Sequence, residues 1–399
     1  MAKKDTSVTR KSENEKKTNN RGEAKKKNKR KSNVVAVIIA VALIAGSVLA
    51  VTYLVQRGRN AVQNYQGNVT ATQSVETPTG HTVEVKDMPA LKSDDKSDGY
   101  LDGAVYVWQN KGFEIFKGTV TDAKSYAESI NNYKKILGEG YKVYDVVIPS
   151  GTEIALPERL SKTFSNNQRE NINTVISNLS MEVTPIDVYS ILGEKRNENL
   201  YYSTDKYWTP LGGYYAYTSI AKSLGVKAVD IKELTSITLE QEFLGSHITA
   251  TVSKETQNGN PKLLSNPDKV TYYMLPDTVA VQALPQGGEE LVDMQYYNTE
   301  FNDEASPLDI YATKDCAYTV LTNSEISKEK IAVVSDKFGY SIVPFLCENY
   351  NQVHLIDIDN FQRNLKNYLE ENEITAVVFL NGIMSANTAA KTAKTDAMF

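Results

Sequence analysis

Two short segments of the sequence carry side chains that could do chemistry together. Each holds a carboxylate next to hydroxyl and amine groups, which are the groups found in nucleophilic acyl chemistry. A serine hydroxyl attacks a carbonyl only when a neighbouring base takes its proton, and a carboxylate orients that base. The groups concerned are Asp205, Lys206 and Tyr207, followed by Trp208, in the first segment, and Ser335, Asp336 and Lys337 in the second.

Histidine, the usual base in such chemistry, is scarce in this chain. The sequence has three histidines, His81, His247 and His354, and two cysteines. Zinc sites use four closely spaced Cys or His ligands, and no such cluster occurs, so we expect no metal and no cofactor. His247 follows Gly245-Ser246 and is the histidine that we consider as a substitute base.

At these segments the chain resembles the DHHW family, extracytoplasmic SGNH-hydrolase-like proteins related to the alginate O-acetyltransferase-like domains. The resemblance covers roughly residues 101–385. It rests on the strand end at residues 147–150, the Asp-x-x-Trp-Thr segment that starts at Asp205, Gly245-Ser246, the late strand before Asp336, and residues 344–346. In that family the first segment reads Asp-His-His-Trp or Asp-x-His-Trp. Its Asp and second His form two thirds of a Ser-His-Asp triad, and the serine follows the late strand.

The resemblance, carried over position by position, implies that two of the three triad residues are missing. Asp205 and Trp208 match the family, whereas Lys206 and Tyr207 replace its two histidines. In the second segment Asp336 matches, and Lys337 stands where the family has its serine. A tyrosine with a pKa near 10 does not accept a proton usefully at neutral pH. We therefore expect a catalytically silent cleft formed by Lys206, Tyr207, Trp208, His247, Asp336 and Lys337, and Asp205 and Ser335 are the candidate catalytic residues of any remaining activity.

Two alternatives remain open at the level of the sequence. In the first, the chain is an active O-acetyltransferase or esterase in which Ser335 is the nucleophile and His247 or Lys337 is the base. Otherwise Ser335 ends a strand with its hydroxyl satisfied locally, and His247 is an exposed loop residue. In the second, the chain is a structural envelope protein with a closed cleft.

The elements that must position these residues follow from the apolar pattern. Short runs rich in Val and Ile predict strands of a parallel sheet covered on both faces, and the segments between them predict amphipathic helices. Together they predict an α/β fold, a three-layer sandwich with a mainly parallel sheet, plus a β-rich insertion at about residues 239–320. The predicted strands are 105–108, 143–148, 331–335, 353–358 and 375–380, and the predicted helices are 122–137, 167–179, 210–224, 341–350 and 361–371.

The helix at residues 210–224 has the best-defined ends. Thr209 suits its N-cap, Pro210 its first position and Gly225 its C-terminal end. Gly212 and Gly213 inside the helix cost about 1 kcal/mol each relative to alanine. We therefore predict that another part of the chain packs closely against the first turn.

The ends of the 399-residue chain differ sharply in charge. Residues 1–33 hold 13 basic and 4 acidic residues, whereas residues 60–399 carry a net charge of −16. Residues 34–55 contain no charged side chain, and 22 residues of helix span a bilayer. A signal peptide usually has a shorter apolar stretch, about 7–15 residues, so cleavage is the less favoured alternative. We predict a cytoplasmic tail (1–33), a transmembrane helix (34–55), a flexible stalk (56–100) and an extracellular domain (101–399).

These features predict where the protein lies and what it binds. The lipid bilayer is the partner of residues 34–55, and the acidic outer part disfavours nucleic acid. The family resemblance implies a cell-envelope polysaccharide as ligand and a membrane-bound O-acyltransferase as partner. Cys316 and Cys347 lie on the outer side, where they are either paired or separately buried.

Overall fold

The structure is a computed structural model that describes residues 73–76, 80–85, 87–253, 259–302, 304–327 and 329–398. The predicted tail and transmembrane helix, residues 1–55, lie outside these residues. Within the described ranges, no helix combines the length and the apolar character that a membrane crossing requires.

The strands of the described residues are numbered in chain order. They are β1 (Gln73–Glu76), β2 (Thr82–Val85), β3 (Tyr100–Asp102), β4 (Val105–Trp108), β5 (Lys111–Glu114), β6 (Lys142–Ile148), β7 (Val183–Pro185), β8 (Ser236–Phe243), β9 (Asp268–Tyr273), β10 (Val279–Pro285), β11 (Val292–Asp293), β12 (Cys316–Asn323), β13 (Lys330–Ser335), β14 (Gln352–Asp357) and β15 (Ala376–Gly382).

The helices are numbered in the same way. They are α1 (Val120–Leu137), α2 (Gly151–Ile154), α3 (Glu158–Ser161), α4 (Gln168–Asn178), α5 (Tyr189–Glu194), α6 (Pro210–Leu224), α7 (His247–Ala250), α8 (Pro261–Leu264), α9 (Val343–Leu346), α10 (Leu365–Glu371), α11 (Ile383–Ala386) and α12 (Ala389–Asp396). Short 3-10 helices occur at Ile231–Glu233, Pro307–Ile310 and Lys337–Ser341.

A mixed eight-stranded sheet forms the centre of the α/β fold. Its strand order is β11-β10-β12-β14-β13-β15-β6-β7. The strands from β14 to β7 are parallel, and β12, β10 and β11 are antiparallel. All seven residues of β15 are buried. Because alternate side chains point to opposite faces, both faces of this strand are covered. The four predicted strands from residue 143 onward are confirmed within this sheet.

The predicted strand Val105–Trp108 exists, but it belongs to a different sheet. It forms β4 of a three-stranded antiparallel sheet with β3 and β5. Gln109 and Asn110, between β4 and β5, have φ values of 46° and 59°. Two consecutive residues with positive φ are typical of a tight hairpin turn, which joins antiparallel strands. The assignment of this strand to the parallel sheet was wrong.

Helix α6 has the predicted bounds, and its first turn packs as closely as the glycines indicate. A Cβ atom at Gly212 would lie 2.5 Å from the carbonyl oxygen of Leu200. A Cβ atom at Gly213 would lie 2.6 Å from Oγ of Ser341. The prediction of a close approach is confirmed.

Two other helices are shorter than predicted. Asp336 accepts a hydrogen bond from the Phe338 amide and starts the 3-10 helix Lys337–Ser341, and α9, which follows it, ends at Leu346 after one turn. Asn364 caps α10 in the same way, so that helix does not begin at residue 361.

The predicted insertion is only partly separate from the main sheet. Strands β8 and β9 form a two-stranded sheet of their own. Strands β10, β11 and β12 instead extend the main sheet. Strand β12 is buried along almost its whole length, so it suits a position inside the sheet.

Residues 87–99, which the composition assigned to the stalk, lie against the domain. Arg159 forms an ion pair with Asp94, with 2.8 Å between Nη2 and Oδ1. The indole Nε1 of Trp108 donates to Oγ of Ser97 over 3.1 Å. Polar residues thus make specific contacts here that composition alone does not indicate.

Candidate binding cleft

A cavity of about 80 Å³, called the cleft below, lies beyond the carboxyl ends of β6, β13 and β15. In open sheets with parallel strands, ligands collect at this edge. Its lining contains acidic, basic, hydroxyl and aromatic side chains. The lining residues are Glu114, Ile148, Ser150, Lys206, Tyr207, Asp336, Lys337, Phe338, Asp359, Gly382, Ile383, Met384, Ser385 and Lys391.

Asp205 is buried beside the cleft and is fully occupied by hydrogen bonds. Its carboxylate accepts bonds from the amides of Ser246, over 2.9 Å, and Tyr207, over 3.2 Å. Burial raises the pKa of Asp205 above its usual range, and these amide bonds oppose the rise. The Gly245 backbone passes so close that a Cβ there would lie 2.3 Å from Asp205. Asp205 therefore holds the Tyr207 turn and the Gly245 loop together.

Tyr207 and Trp208 both pack on Phe338, but they lie at different depths. Trp208 is buried, and its Nε1 donates to the Phe338 carbonyl over 3.2 Å. Tyr207 is half-buried and lines the cleft, with its ring centroid 5.0 Å from that of Phe338. Burial and nearby carboxylates, Asp336 first among them, hold the pKa of Tyr207 well above its usual value. Its phenol is therefore neutral and is a hydrogen-bond donor.

Asp336 ties the ends of two central strands together. Its Oδ2 accepts a bond from the Gly382 amide over 2.9 Å and one from Oγ of Ser385 over 2.6 Å. Its Oδ1 accepts from the Phe338 amide over 3.1 Å. Burial raises the pKa of Asp336. This carboxylate fixes the floor of the cleft.

Lys337, which the family resemblance aligned with the serine, is held in an ion pair. Its Nζ lies 2.6 Å from Oδ2 of Asp357 and also donates to the Lys314 carbonyl. Asp357 is 1% exposed. Burial raises the pKa of Asp357, and the charge of Lys337 opposes that rise. An ammonium group in such a pair has no lone pair with which to act as base or nucleophile.

Ser335, the alternative nucleophile, faces the sheet. It is fully buried, and its Oγ donates to the Leu380 carbonyl over 2.6 Å. It is not among the residues that line the cleft. A Cβ at Gly339 would lie 2.7 Å from this hydroxyl, so the space around it is filled.

His247 begins α7 and is buried, whereas the non-catalytic interpretation expected an exposed loop residue. Its ring packs on Gly112, and it lines a smaller neighbouring cavity with Lys206 and Asp205. Burial lowers the pKa of His247 to about 3, and the charge of Lys206 adds to that. The structure brings His247 near Asp205, but neither His247 nor Ser335 lines the cleft.

Several cleft residues escaped the sequence analysis. Glu114 ends β5 and faces the cleft about 90 positions before Lys206, and burial raises its pKa to about 7. Asp359 receives ion pairs from Lys391 and Lys394, which outweigh the effect of burial and lower its pKa. These residues are far apart in the sequence, and only the tertiary fold brings them to one cavity, so no spacing rule predicts them.

Donors and acceptors dominate the chemistry of this site. Lys206 lies with its Nζ 5.2 Å from the centre of the Tyr207 ring. Within the described residues, Lys206 has no ion-pair partner. The described lining of the cleft contains no imidazole, and the two hydroxyls of Ser150 and Ser385 are bonded to Gln168 and Asp336. The arrangement offers hydrogen-bond donors and acceptors to a polar ligand.

Comparison with known proteins places this fold among solved relatives. A family model described as DHHW protein matches residues 67–356. A DHHW family protein from Eubacterium siraeum DSM 15702 has a similar structure, at 22% identity and a TM-score of 0.65, over 75% of this chain and 97% of that one. Among curated proteins, none matches the sequence.

A second relative is Bacillus cereus PatB1, which is similar at 20% identity and a TM-score of 0.59, over 73% of this chain and 99% of that one. The same protein with a sulfonyl adduct is similar at 19% identity and a TM-score of 0.59, over 72% and 96% of the two chains. At these identities the likeness shows the fold alone.

Proposed function

Because this chain belongs to the DHHW family, we propose that it is an extracytoplasmic protein that binds a cell-envelope glycan without transferring or hydrolysing its acyl groups. Residues 34–55 anchor it in the membrane, with residues 1–33 in the cytoplasm. The outer domain, with the three-layer arrangement of SGNH-like proteins, carries the cleft. The ligand is an acylated or acylatable surface polysaccharide.

The Lys337–Asp357 ion pair is the observation that carries the proposal. It fills the position of the family's serine with an ammonium group whose Nζ lies 2.6 Å from a buried carboxylate. Breaking such a pair leaves an uncompensated buried charge. The Lys337 ammonium group therefore stays bound to Asp357 and takes no part in a reaction. Loss of one triad member costs on the order of 10⁴-fold in rate, and here the base position is also a tyrosine.

The remaining cleft side chains support binding. Tyr207 offers a neutral phenol, and Lys206 offers an ammonium group without an ion-pair partner among the described residues. Glu114 offers a carboxyl whose pKa of about 7 lets it donate or accept a hydrogen bond near neutral pH. Such a mixture of donors and acceptors around an aromatic ring suits the hydroxyl and acyl groups of a sugar.

A membrane-bound O-acyltransferase is the partner that this proposal implies. An acyl group that reaches the outer surface must be transferred to a polysaccharide. A catalytically inactive member of the family would hold that polysaccharide close to the membrane-bound O-acyltransferase. This part of the proposal rests on the family resemblance.

The active-enzyme alternative requires large changes in geometry. Ser335 would have to leave the Leu380 carbonyl, and His247 would have to reach it from the neighbouring cavity. The structural alternative, a closed envelope protein, predicts that cleft substitutions change stability but bind no glycan. A glycan-binding assay separates both alternatives from the proposal. The active enzyme would change the acyl content of the bound glycan, and the structural protein would bind no glycan.

Glycan binding by the full-length chain in detergent tests the proposal. We expect binding to at least one oligosaccharide on an array of bacterial envelope glycans, with the acyl content of that glycan unchanged after incubation. Tyr207→Phe and Lys206→Ala should each weaken binding about three- to tenfold, because each removes one donor. Tyr215→Phe is the matched control, since its hydroxyl bonds Glu198 on the outer side of α6.

Two outcomes would contradict the proposal. Absence of binding to every glycan on the array would exclude a glycan receptor. Binding that is indifferent to both cleft substitutions would place the site elsewhere on the molecule.

A further inference from the structure

A second cavity, called the side groove below, opens beside the cleft. It has a volume of about 470 Å³ and lies between the β10–β11 turn, residues 286–289, and the loop that follows β14, residues 360–363. That same loop begins with Asp359, which lines the cleft. The two cavities therefore flank one loop at the same edge of the sheet, and a ligand that extends from the cleft over this loop reaches the side groove.

A rigid cluster of aromatic rings supports the side groove. Tyr318 and Phe361 line it, with ring centroids 6.1 Å apart. Tyr368 packs behind both rings, at 4.9 Å from Tyr318 and 5.4 Å from Phe361. The Tyr368 hydroxyl is hydrogen-bonded to Nδ1 of the buried His354 over 2.7 Å. These packed rings support the floor of the groove, where the edges of Tyr318 and Phe361 reach the surface.

The rim of the side groove offers neutral polar groups. Gln286, Asn360 and Gln362 line it, and their side-chain amides make no hydrogen bond within the described ranges of the chain. A side-chain amide has both donors and an acceptor, so it matches a hydroxyl group in either direction.

The charges of the side groove do not select a charged ligand. Arg363 is already paired with Glu371 and stacks over Tyr368, with 5.2 Å from Cζ to the ring centroid. Glu289, on the opposite wall, is exposed and disfavours a polyanion. Free amides above an aromatic floor, with the cationic group internally neutralised, fit an uncharged polyhydroxylated ligand.

We propose that the side groove is a second subsite for the same glycan chain, which binds uncharged sugar units that extend from the cleft across the loop after β14. This inference rests on the proposed function. It adds a requirement that the cleft alone does not impose, namely that affinity rises with the length of the oligosaccharide.

A length series tests the subsite with the full-length chain in detergent. The probes are oligosaccharides of one to eight units of whichever array glycan binds. We expect affinity to rise by about tenfold or more once the chain is long enough to reach the side groove. The double variant Asn360→Ala/Gln362→Ala should remove that gain, about tenfold for two lost hydrogen bonds, and leave the short oligosaccharides unchanged. The matched control is Asn132→Ala, an exposed amide on α1.

The outcomes separate this inference from the function on which it rests. Binding that depends on Tyr207 but does not vary with length would overturn the subsite and leave the proposed function in place. Loss of affinity for short and long oligosaccharides alike in the double variant, with an unchanged Tm, would also overturn it. Failure of all glycans to bind would overturn both proposals.

Discussion

At the scale of single residues, the cleft depends on which buried charges have partners. Lys337 and Asp357 neutralise each other, and Asp359 is neutralised by Lys391 and Lys394. Asp336 receives three hydrogen bonds instead of a cation. Lys337 is thus part of the structural framework of the site.

Replacement of Lys337 by methionine should destabilise the protein by roughly 3 kcal/mol, because the buried Asp357 carboxylate loses its cation and keeps only the hydrogen bonds from the Asp359 amide and the Tyr340 hydroxyl. Urea denaturation of the full chain measures this change. The double variant Lys337→Met/Asp357→Asn should recover most of the loss. Equal destabilisation in the single and double variants would show that packing, and not the charge pair, is responsible.

A second buried carboxyl lies inside the sheet, away from the cleft. Asp145 on β6 is 2% exposed and accepts a hydrogen bond from the Tyr126 hydroxyl over 2.8 Å. Burial raises the pKa of Asp145 to about 7. In the unfolded chain the same carboxyl has a pKa near 3.9.

This difference makes stability depend on pH. A folded-state pKa above the unfolded one stabilises the protein fully below about pH 4, and that contribution is lost as the pH rises through about 7. Asp145→Asn removes the titration, so its stability relative to the parent chain should rise by roughly 2 to 3 kcal/mol between pH 5 and pH 8. Denaturation at the two pH values measures it. A pH-independent difference would mean that Asp145 is ionised throughout.

Residues of the candidate site could be predicted from the sequence where they are neighbours within one motif. Asp205, Tyr207, Asp336 and Lys337 lie in two such segments, and three of them line the cleft with Lys206. Glu114 was not predicted, since a glutamate at the end of a short strand has no distinguishing pattern. The partner of Lys337, Asp357, was missed because it ends a strand 20 positions later, and only the pairing of that strand with β13 brings the two side chains together.

At the scale of elements, helix α6 positions the first segment through its first turn. Gly212 lies against the Leu200 carbonyl and against Trp208, so the helix start fixes the turn that presents Tyr207. The helix has glycine there because no side chain fits.

Alanine at position 212 should therefore destabilise the protein, even though alanine favours helix by about 1 kcal/mol over glycine. Its Cβ would lie 2.5 Å from a backbone oxygen that has little freedom to move. We expect a net loss of about 1 to 3 kcal/mol, measured as a lower Tm and a lower urea midpoint. Gly140→Ala is the control, since no atom lies within 4 Å of a Cβ there. A neutral or stabilising effect of Gly212→Ala would show that the α6 contact is loose.

Elements with regular periodicity were predictable, and elements set by long-range pairing were not. The bounds of α6 follow from Thr209, Pro210 and Gly225, which act locally. Val105–Trp108 belongs to the small antiparallel sheet because it forms a hairpin with β5. Strand β12 belongs to the main sheet because it pairs with β14. Apolar runs indicate that a strand forms, but they do not indicate its neighbour.

At the scale of the whole molecule, the sheet gathers both cavities at one edge. The carboxyl ends of β6, β13 and β15 hold the cleft, and the loop after β14 separates it from the side groove. Cys316 and Cys347 are buried as free thiols, so no disulfide holds this edge together. The family resemblance predicted the cleft, whereas the side groove depends on β10 and β12 joining the sheet, which the sequence pattern did not show.

Covalent labelling of the folded full-length chain tests the central claim most directly. The chain is treated with an excess of a sulfonyl fluoride or fluorophosphonate and analysed by intact mass and peptide mapping. Bacillus cereus PatB1, which has been solved with a sulfonyl adduct, is the positive control. We predict no adduct on this chain under conditions that label PatB1 fully. A stoichiometric adduct on Ser335 or Ser385 that disappears on substitution by alanine would contradict the account and identify an active acyltransferase or esterase.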